Sequence, residues 1–113
     1  MGFLAKIAME ELIINVEYKK GDKLIGHVEI CSNKENAKDS LIWISDLFVA
    51  EACRHTGIGT KLMNMVIDAV KKLSIPKVYL FCKPDLIPFY KRFGAEDTHQ
   101  KKNGYNLMMI NNN

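Results

Sequence analysis

Residues 41–73 read LIWISDLFVAEACRHTGIGTKLMNMVIDAVKKL and place a strand, a glycine-bearing connector and a helix in direct succession. The first nine residues are apolar on nearly both faces, which is typical of a strand near the centre of a sheet. Apolar residues then recur at intervals of three and four over residues 58–73, which predicts an amphipathic helix. Because another strand is predicted at residues 77–82, the segment as a whole predicts a right-handed crossover between parallel strands.

The residues on either side of this segment predict further strands and a second helix. Two β-rich runs, at residues 12–18 and 24–30, flank a glycine-containing turn and are typical of a hairpin. The polar residues 32–40 are predicted to form a loop. A second helix is predicted between Asp85, as its N-cap, and Gly94, as its C-terminal stop. The last two strands are predicted on either side of residues 101–104, the second of them over residues 105–110.

The predicted fold class is α+β, with one mixed β-sheet of about six strands and two main helices in the order β-β-β-α-β-α-β-β. Residues 1–10 are ambiguous, because their apolar positions have helical spacing but so short a helix would depend on docking.

Length, composition and charge narrow the class of protein. A chain of 113 residues with 48% hydrophobic and 26% charged residues predicts a single folded domain over residues 1–113. No apolar run approaches the roughly 20 residues of a membrane helix, and no signal peptide is recognisable, so we expect no membrane partner. The net charge of +3 is too small for a dedicated nucleic-acid binder but suits a protein that accepts a small polyanion. The three cysteines form no Cys-x-x-Cys pair, which argues against a disulfide framework or a metal site and favours a reducing, cytoplasmic compartment.

The connector between the central strand and the long helix is a candidate phosphate-binding loop. A helix start leaves backbone N–H groups without partners and carries a partial positive charge. Gly57 and Gly59 allow a diphosphate to approach these groups, while Thr60 can add a hydroxyl and Arg54 a charged contact.

Known phosphate-binding patterns differ in how well they match this loop. The dinucleotide fingerprint needs a small residue where this chain has Leu62, and an acidic residue near Lys77. The P-loop pattern, Gly-x-x-x-x-Gly-Lys-Ser/Thr, does not occur. A tight strand-to-helix turn with glycines for backbone freedom remains an alternative interpretation of Gly-x-Gly alone.

The pattern Arg-x-x-Gly-x-Gly at residues 54–59 resembles the GNAT superfamily of acyl-CoA-dependent N-acetyltransferases. The strand that ends at Val49 and the string Pro-Phe-Tyr-Lys-Arg-Phe-Gly-Ala at residues 88–95 look like two further signatures of that family. The likeness covers about residues 41–97, and its motifs are most similar to the polyamine N-acetyltransferase branch. It implies the GNAT acyl-CoA N-acyltransferase fold with the N-terminal helices largely missing. It also implies acetyl-CoA (coenzyme A) as cosubstrate, without a metal.

The resemblance implies binding roles for three groups of residues. The loop would wrap the diphosphate with Arg54, His55, Thr56, Gly57, Ile58, Gly59 and Thr60. The strand would hold the pantetheine arm and the thioester carbonyl through backbone amides of Leu47, Phe48 and Val49. Beyond these, Phe89 would lie against the cosubstrate. Lys83 stands where many members have Asn, and would either bond the cofactor arm or be solvated.

The resemblance also implies catalytic roles. Tyr90 would protonate, or donate a hydrogen bond to, the leaving sulfur. Asp46 would hold a cationic amine or relay its proton. The base itself stays open among Asp46, Glu51 and a water chain, because Ser45 stands where the polyamine branch has Glu.

The predicted function is transfer of an acetyl group from acetyl-CoA to a primary amine, by direct transfer in a ternary complex. The acceptor would be a small molecule such as a polyamine, or an amine or lysine of a protein. The alternative is a catalytically weak acyl-CoA-binding or protein-interaction module on the same fold. Since only about eleven residues precede Leu12, we expect an acceptor site that is either open or closed by a partner subunit, as in a homodimer.

Overall fold

The computed structural model of the protein describes residues 2–8, 13–32 and 41–112. Of the loop predicted at residues 32–40, Ser32 belongs instead to a strand, and residues 33–40 lie outside the described residues, as does Leu12. The elements, in chain order, are β1 (Gly2–Ala8), β2 (Ile13–Lys20), β3 (Lys23–Ser32), β4 (Ile42–Val49), α1 (Ile58–Lys72), β5 (Lys77–Cys82), α2 (Ile87–Lys91), β6 (Ala95–Lys102) and β7 (Tyr105–Asn111). Single 3₁₀ turns at Glu51–Cys53 and Pro84–Leu86 precede α1 and α2.

The described strands form one seven-stranded mixed sheet, in the order β1-β2-β3-β4-β5-β7-β6. Neighbouring strands are antiparallel except for β4 and β5, which are parallel and joined through α1. The predicted α+β class with a mixed sheet and two helices is confirmed, and so is the parallel pair. From β2 onward the order of elements matches the predicted order.

The strand additional to the predicted order is β1, formed by the ambiguous first residues. It pairs with β2 along its whole length, from Gly2 opposite Lys19 to Ala8 opposite Ile13. A helix of seven residues would gain few internal hydrogen bonds, whereas the ladder satisfies the backbone against a strand already in place. Pairing with β2 therefore determines that residues 2–8 form a strand, which their own sequence pattern does not determine.

The second helix is shorter than the sequence indicates. The span predicted from Asp85 to Gly94 divides into the 3₁₀ turn Pro84–Leu86 and the five residues of α2. Pro88 has no N–H to donate to the carbonyl of Pro84, so one continuous α-helix cannot run through both. The predicted N-cap is wrong, since the N-cap of α2 is Leu86 and no side chain caps it. The helix ends at Lys91, and Gly94, with a left-handed φ of 86°, closes the turn that follows it.

A single core lies between α1 and one face of the sheet. The helix contributes four fully buried side chains, Leu62, Met63, Val66 and Val70. Gly26 of β3 lets α1 come close, because a Cβ there would lie 3.0 Å from Leu62 Cδ1 and 3.1 Å from Ile58 Cγ2. This close approach sets where the N-terminus of α1 meets the end of β4.

The opposite face of the sheet carries aromatic side chains. Trp43 stacks on Phe81 with ring centroids 5.4 Å apart, and its ring lies 5.7 Å from that of Tyr79. These residues alternate along β4 and β5 with the buried Ile44 and Leu80, so they project away from α1. Tyr90 of α2 belongs to the core on the α1 side. Within the described residues, both helices thus lie on one face and the aromatic face is left open.

Candidate active site

A cleft opens where the two parallel strands diverge. The ladder between β4 and β5 consists of one pair, Trp43 opposite Tyr79, and both strands are described in full. Beyond that pair the strands separate and enclose a cleft of about 1130 Å³. Its lining comes from the ends of both strands, the connector and first turn of α1, and the segment from Lys83 to Arg92. Side chains from both faces of the sheet border it, so the cleft joins the helix side to the aromatic side.

A β-bulge shapes the β4 wall of this cleft. His27 pairs with Phe48 and Glu29 with Ser45, so two residues of β4, Asp46 and Leu47, stand opposite one residue of β3. Asp46 takes a left-handed φ of 55°, a conformation that aspartate tolerates better than most residues. His27 Nδ1 donates a hydrogen bond to the main-chain oxygen of Asp46 at 3.2 Å. Since a carbonyl only accepts, Nδ1 is the donor in this bond.

The far end of β4 is fixed by the connector. Arg54 Nε donates to the main-chain oxygen of Val49 at 3.0 Å, which leaves the two terminal nitrogens of the guanidinium available. The hydroxyl of Thr56 donates to the main-chain oxygen of Cys53 and is used within the turn. His55 is exposed, with a left-handed φ of 64°.

The N-terminus of α1 faces the cleft without a side-chain cap. Gly57, its N-cap, has a left-handed φ of 86° and open space on the side where a Cβ would stand. No acidic residue occupies the first turn, and the first helical bond runs from Lys61 N to Gly57 O at 3.0 Å. The N–H groups of Ile58, Gly59 and Thr60 consequently have no helical partner. A fifteen-residue helix that ends in this way favours an anion.

The structure gives Gly59 a different steric role from the one its sequence position suggested. A Cβ at Gly59 would lie 3.6 Å from Phe89 Cζ and 3.7 Å from Val49 Cγ2, which is ordinary van der Waals contact. The absent side chain would therefore point between α2 and β4. Access of an anion to the first turn depends on Gly57 more than on Gly59.

Tyr90 is held in the wall of the cleft by its aromatic neighbour. Its side chain is 6% exposed, and its ring meets that of Phe89 edge-on with centroids 5.1 Å apart. Burial, together with the nearby Cys82 thiol, raises the pKa of Tyr90 to about 12. At neutral pH the phenol is therefore a hydrogen-bond donor and carries no charge.

Cys82 closes the inner end of the cleft beside Tyr90. The thiol is 3% exposed, and burial raises its pKa, with smaller contributions from the carboxylates of Asp97 and Asp85. Because the thiolate is the reactive form of cysteine, this residue is suited to packing and unsuited to nucleophilic attack.

The structure brings most of the candidate site residues together. Those that line the cleft are Asp46, Leu47, Phe48, Val49, Arg54, His55, Gly57, Ile58, Gly59, Thr60, Lys83, Phe89 and Tyr90. Thr56 stands apart from the lining. Glu51 is exposed in the 3₁₀ turn and also lies outside the lining. Lys83 is exposed at the start of the Pro84–Leu86 turn.

Sequence reasoning missed three contributors to the site. Arg92 lines the cleft and adds a third cation to Arg54 and Lys83. Cys82 borders Tyr90, and His27 fixes the bulge. The alternation of β5 could have placed Cys82 inside, and Arg92 stands directly beside the Phe-Tyr string. The role of His27 depends on a strand register that no local pattern gives.

None of the helices seen in residues 2–8, 13–32 and 41–112 is long and apolar enough to cross a membrane. The same residues contain no group of three or more His, Cys, Asp or Glu side chains placed to hold a metal ion.

Comparisons with known proteins give a consistent result. The family model described as "Acetyltransferase (GNAT) family" matches residues 4–95. The chain is 29% identical over 93 residues to a Pyropia yezoensis protein named "Uncharacterized N-acetyltransferase ycf52", a match that covers 79% of this chain and 51% of that protein. The chain thus spans about half the length of the curated relatives it matches.

Solved structures resemble the chain in fold. Escherichia coli ElaA superposes with a TM-score of 0.75 at 21% identity, covering 88% of this chain and 68% of that one. The PaiA N-acetyltransferase of Thermoplasma acidophilum, solved with coenzyme A, gives a TM-score of 0.68 at 19% identity, covering 88% and 60%.

Proposed function

The chain belongs to the acetyltransferase (GNAT) family, and we propose that it transfers an acetyl group from acetyl-CoA to a primary amine. The observation that carries this proposal is the combination of an uncapped helix N-terminus, a bulged strand and a buried tyrosine around one cleft. The coenzyme A bound by the Thermoplasma protein of similar fold supports the choice of cosubstrate.

The residues present fit the diphosphate of coenzyme A. The free N–H groups of the first turn of α1 supply donors and a partial positive charge, and the left-handed Gly57 leaves the approach to them open. The two terminal nitrogens of Arg54 remain available for phosphate oxygens once Nε has bonded Val49. The cations Lys83 and Arg92 border the same cleft and add to the attraction for a polyanion.

The β4 wall fits the extended pantetheine arm and the thioester. Among the strands that the structure describes, none pairs with β4 on the β5 side beyond Trp43, so backbone groups along residues 44–49 are available to an extended chain that lies alongside. The bulge at Asp46 and Leu47 turns local backbone groups out of the regular ladder. An amide of Leu47, Phe48 or Val49 would then donate to the oxygen on which charge develops as the amine attacks.

Tyr90 is assigned to the leaving sulfur. A thiol has an ordinary pKa of about 8.5, so a thiolate is a weaker base than a phenolate of pKa about 12. Full transfer of the phenolic proton to sulfur is consequently unfavourable. A hydrogen bond from the phenol stabilises the departing thiolate, and this function needs the phenol to remain protonated at working pH.

The acceptor enters as an ammonium ion and must become neutral before it attacks. An alkylammonium has a pKa of about 10.4, so its proton has to be taken up by a base at neutral pH. Asp46 is exposed on the bulge and lines the cleft, which supports its proposed role of attracting this cation. The acceptor is proposed as a primary amine, on a small molecule such as a polyamine or on a protein side chain.

Calorimetry and a thiol-release assay test this function together. Coenzyme A is titrated into the protein, and release of free thiol from acetyl-CoA is then followed with a panel of polyamines, alkylamines and basic peptides. Binding together with amine-dependent release supports the proposal. Binding without release for any amine would favour the catalytically weak acyl-CoA-binding module, and absence of binding would refute both.

A variant pair locates the binding site. Gly57→Val forces a β-branched residue into a left-handed conformation at the N-terminus of α1, and it should abolish coenzyme A binding. Gly21→Val imposes the same kind of strain, at a φ of 63°, in the turn between β2 and β3, which the cleft does not touch. Loss of coenzyme A binding in Gly57→Val alone supports the proposed binding loop. Retained binding in that variant would refute the assignment.

A further inference from the structure

A carboxylate outside the predicted site stands beside the cleft on the aromatic face. Glu29 of β3 is the direct partner of Ser45 in β4, and directly paired residues project from the same face of a sheet, with Cβ atoms about 5 Å apart. Its neighbours along β3, Val28 and Ile30, are fully buried against α1. Glu29 therefore points to the face opposite the helices, where Ser45 borders the cleft.

Glu29 is one strand position away from the lining of the cleft, to which its partner Ser45 belongs. Ser45 is small, and its hydroxyl is engaged with the Cys31 thiol, with Oγ and Sγ 3.6 Å apart. Glu29 is half-buried, and the parts of the chain that the structure describes offer its carboxylate no hydrogen bond or ion pair. A half-buried carboxylate with free lone pairs beside an open cleft is suited to a cation from outside the chain.

The surface next to Glu29 suits the hydrocarbon part of an amine. Trp43 precedes Ser45 by two residues on the same face, and its ring is stacked on Phe81, which is 42% exposed and lines the cleft. Aromatic faces accept both methylene chains and the positive end of an alkylammonium ion. The carboxylate and the rings thus lie on one side of the cleft, while the uncapped N-terminus of α1 lies on the helix side.

We propose, on the basis of the acetyl transfer proposed above, that Glu29 binds the ammonium group of an alkylamine whose chain lies on Trp43 and Phe81, and takes up its proton. The polyanionic cosubstrate then occupies the helix side of the sheet, and the cationic acceptor reaches the thioester from the aromatic side.

Acetyl transfer with Glu29 as the base needs no reactant other than the thioester and the amine. The ammonium group gives one proton to the Glu29 carboxylate, directly or through a water molecule, and Glu29 later releases it to solvent. The nitrogen lone pair forms the C–N bond at the thioester carbonyl, and the C–S bond breaks with its electron pair on sulfur. The second nitrogen proton leaves as the amide forms and balances the proton that the thiolate, hydrogen-bonded by Tyr90, takes up from water to become the free thiol. One proton is released for each amide made.

Among the side chains that the structure describes, the titratable groups around Glu29 are His27 and Cys31 on its own strand, Glu17 on β2 and Asp46 on β4. Glu17 already lies 3.4 Å from the ammonium group of Lys19. Among these carboxylates, Asp46 belongs to the bulge and is the competitor that an experiment must separate from Glu29.

The test compares two primary amines that differ in charge at neutral pH. n-Butylamine is an ammonium ion at neutral pH, whereas 2,2,2-trifluoroethylamine is largely neutral there because its fluorines withdraw electrons. Glu29→Gln should lower kcat/KM for n-butylamine by about 100-fold and change that for trifluoroethylamine far less. Glu29→Asp should recover part of the loss. Coenzyme A affinity should be unchanged in both variants, which confirms that they are folded.

A second carboxylate on the same face of the sheet provides the control variant. Glu96→Gln removes a carboxylate from the same face of the sheet at its far edge, beside Met109, and should leave both activities unchanged. Equal losses for both amines, or a selective loss in Asp46→Asn with none in Glu29→Gln, would overturn the assignment to Glu29. Transfer to basic peptides but not to n-butylamine would overturn the alkylamine class. Coenzyme A binding with no acceptor at all would count against the proposed function itself.

Discussion

His27 Nδ1 donates a hydrogen bond to the main-chain oxygen of Asp46 across 3.2 Å, and this bond joins β3 to the bulge in β4. Asp46 has a left-handed φ of 55°, which only interactions from its surroundings can keep in place within a strand. The bulge faces the cleft, so the orientation of the backbone that would receive the thioester depends on a histidine from the neighbouring strand.

Removal of this donor should loosen the bulge more than it destabilises the fold. For His27→Leu we expect slower thiol release from acetyl-CoA, because the β4 amides are no longer held in one orientation. The free energy of unfolding should fall by only about 0.5 to 1.5 kcal/mol, the usual contribution of one hydrogen bond. His27→Gln retains an N–H donor and should recover part of the activity. Equal rates in all three proteins would show that the bond does not orient the bulge.

Removal of the Tyr90 hydroxyl should affect chemistry and leave binding intact. For Tyr90→Phe we expect turnover to fall by about ten-fold or more, because the leaving thiolate loses its donor. Coenzyme A affinity, measured by calorimetry, should be almost unchanged, since the ring and its contact with Phe89 remain. The matched variant is Tyr79→Phe, which alters a tyrosine on the aromatic face outside the cleft lining. If Tyr90→Phe keeps the turnover of the wild type, the phenol has no catalytic role.

Two glycine-to-alanine variants should have opposite effects on stability. In Gly26→Ala the new Cβ would stand 3.0 Å from Leu62 Cδ1 and 3.3 Å from the main-chain oxygen of Phe48. We expect a loss of about 1 to 3 kcal/mol in the free energy of unfolding, and weaker coenzyme A binding as α1 is displaced. In Gly59→Ala the contacts are ordinary and alanine favours the helix, so stability should be kept or increased. Denaturant unfolding measures both, and a stable Gly26→Ala protein would contradict the close approach of α1.

The central crossover could be predicted from sequence because its signals are local. α1 was expected over residues 58–73 and runs over Ile58–Lys72, since apolar periodicity and the flanking glycine mark its ends. The strand expected at residues 41–49 is observed as Ile42–Val49 for similar reasons. The candidate loop and Tyr90 also came from short strings, and the fold does bring them to one cleft.

The parts that sequence reasoning missed depend on pairing between distant residues. The bulge at Asp46, and the register that sets Glu29 opposite Ser45, arise when β3 and β4 meet, and a shift of one residue would turn each side chain to the other face. The conformation of residues 2–8 is likewise decided by β2 and not by their own spacing. The acceptor side of the cleft is therefore the part of the candidate site that sequence alone described least.

Alkaline pH should destabilise the protein through Tyr90. Its pKa is raised from 10.0 to about 12 in the folded state, so the folded protein holds the phenolic proton more tightly than the unfolded chain does. This contribution is fully present below pH 10, and it is lost as the pH rises towards 12, because there the unfolded chain has released the proton and the folded one has not. The loss amounts to about 2 to 3 kcal/mol at most. Other groups titrate in the same range, so the measured quantity is the difference in free energy of unfolding between the wild type and Tyr90→Phe. Between pH 10 and 12 the wild type should lose stability relative to Tyr90→Phe, whereas between pH 7 and 9 the difference should stay constant. A difference that is constant across the whole range would show that the phenol is not buried as the structure places it.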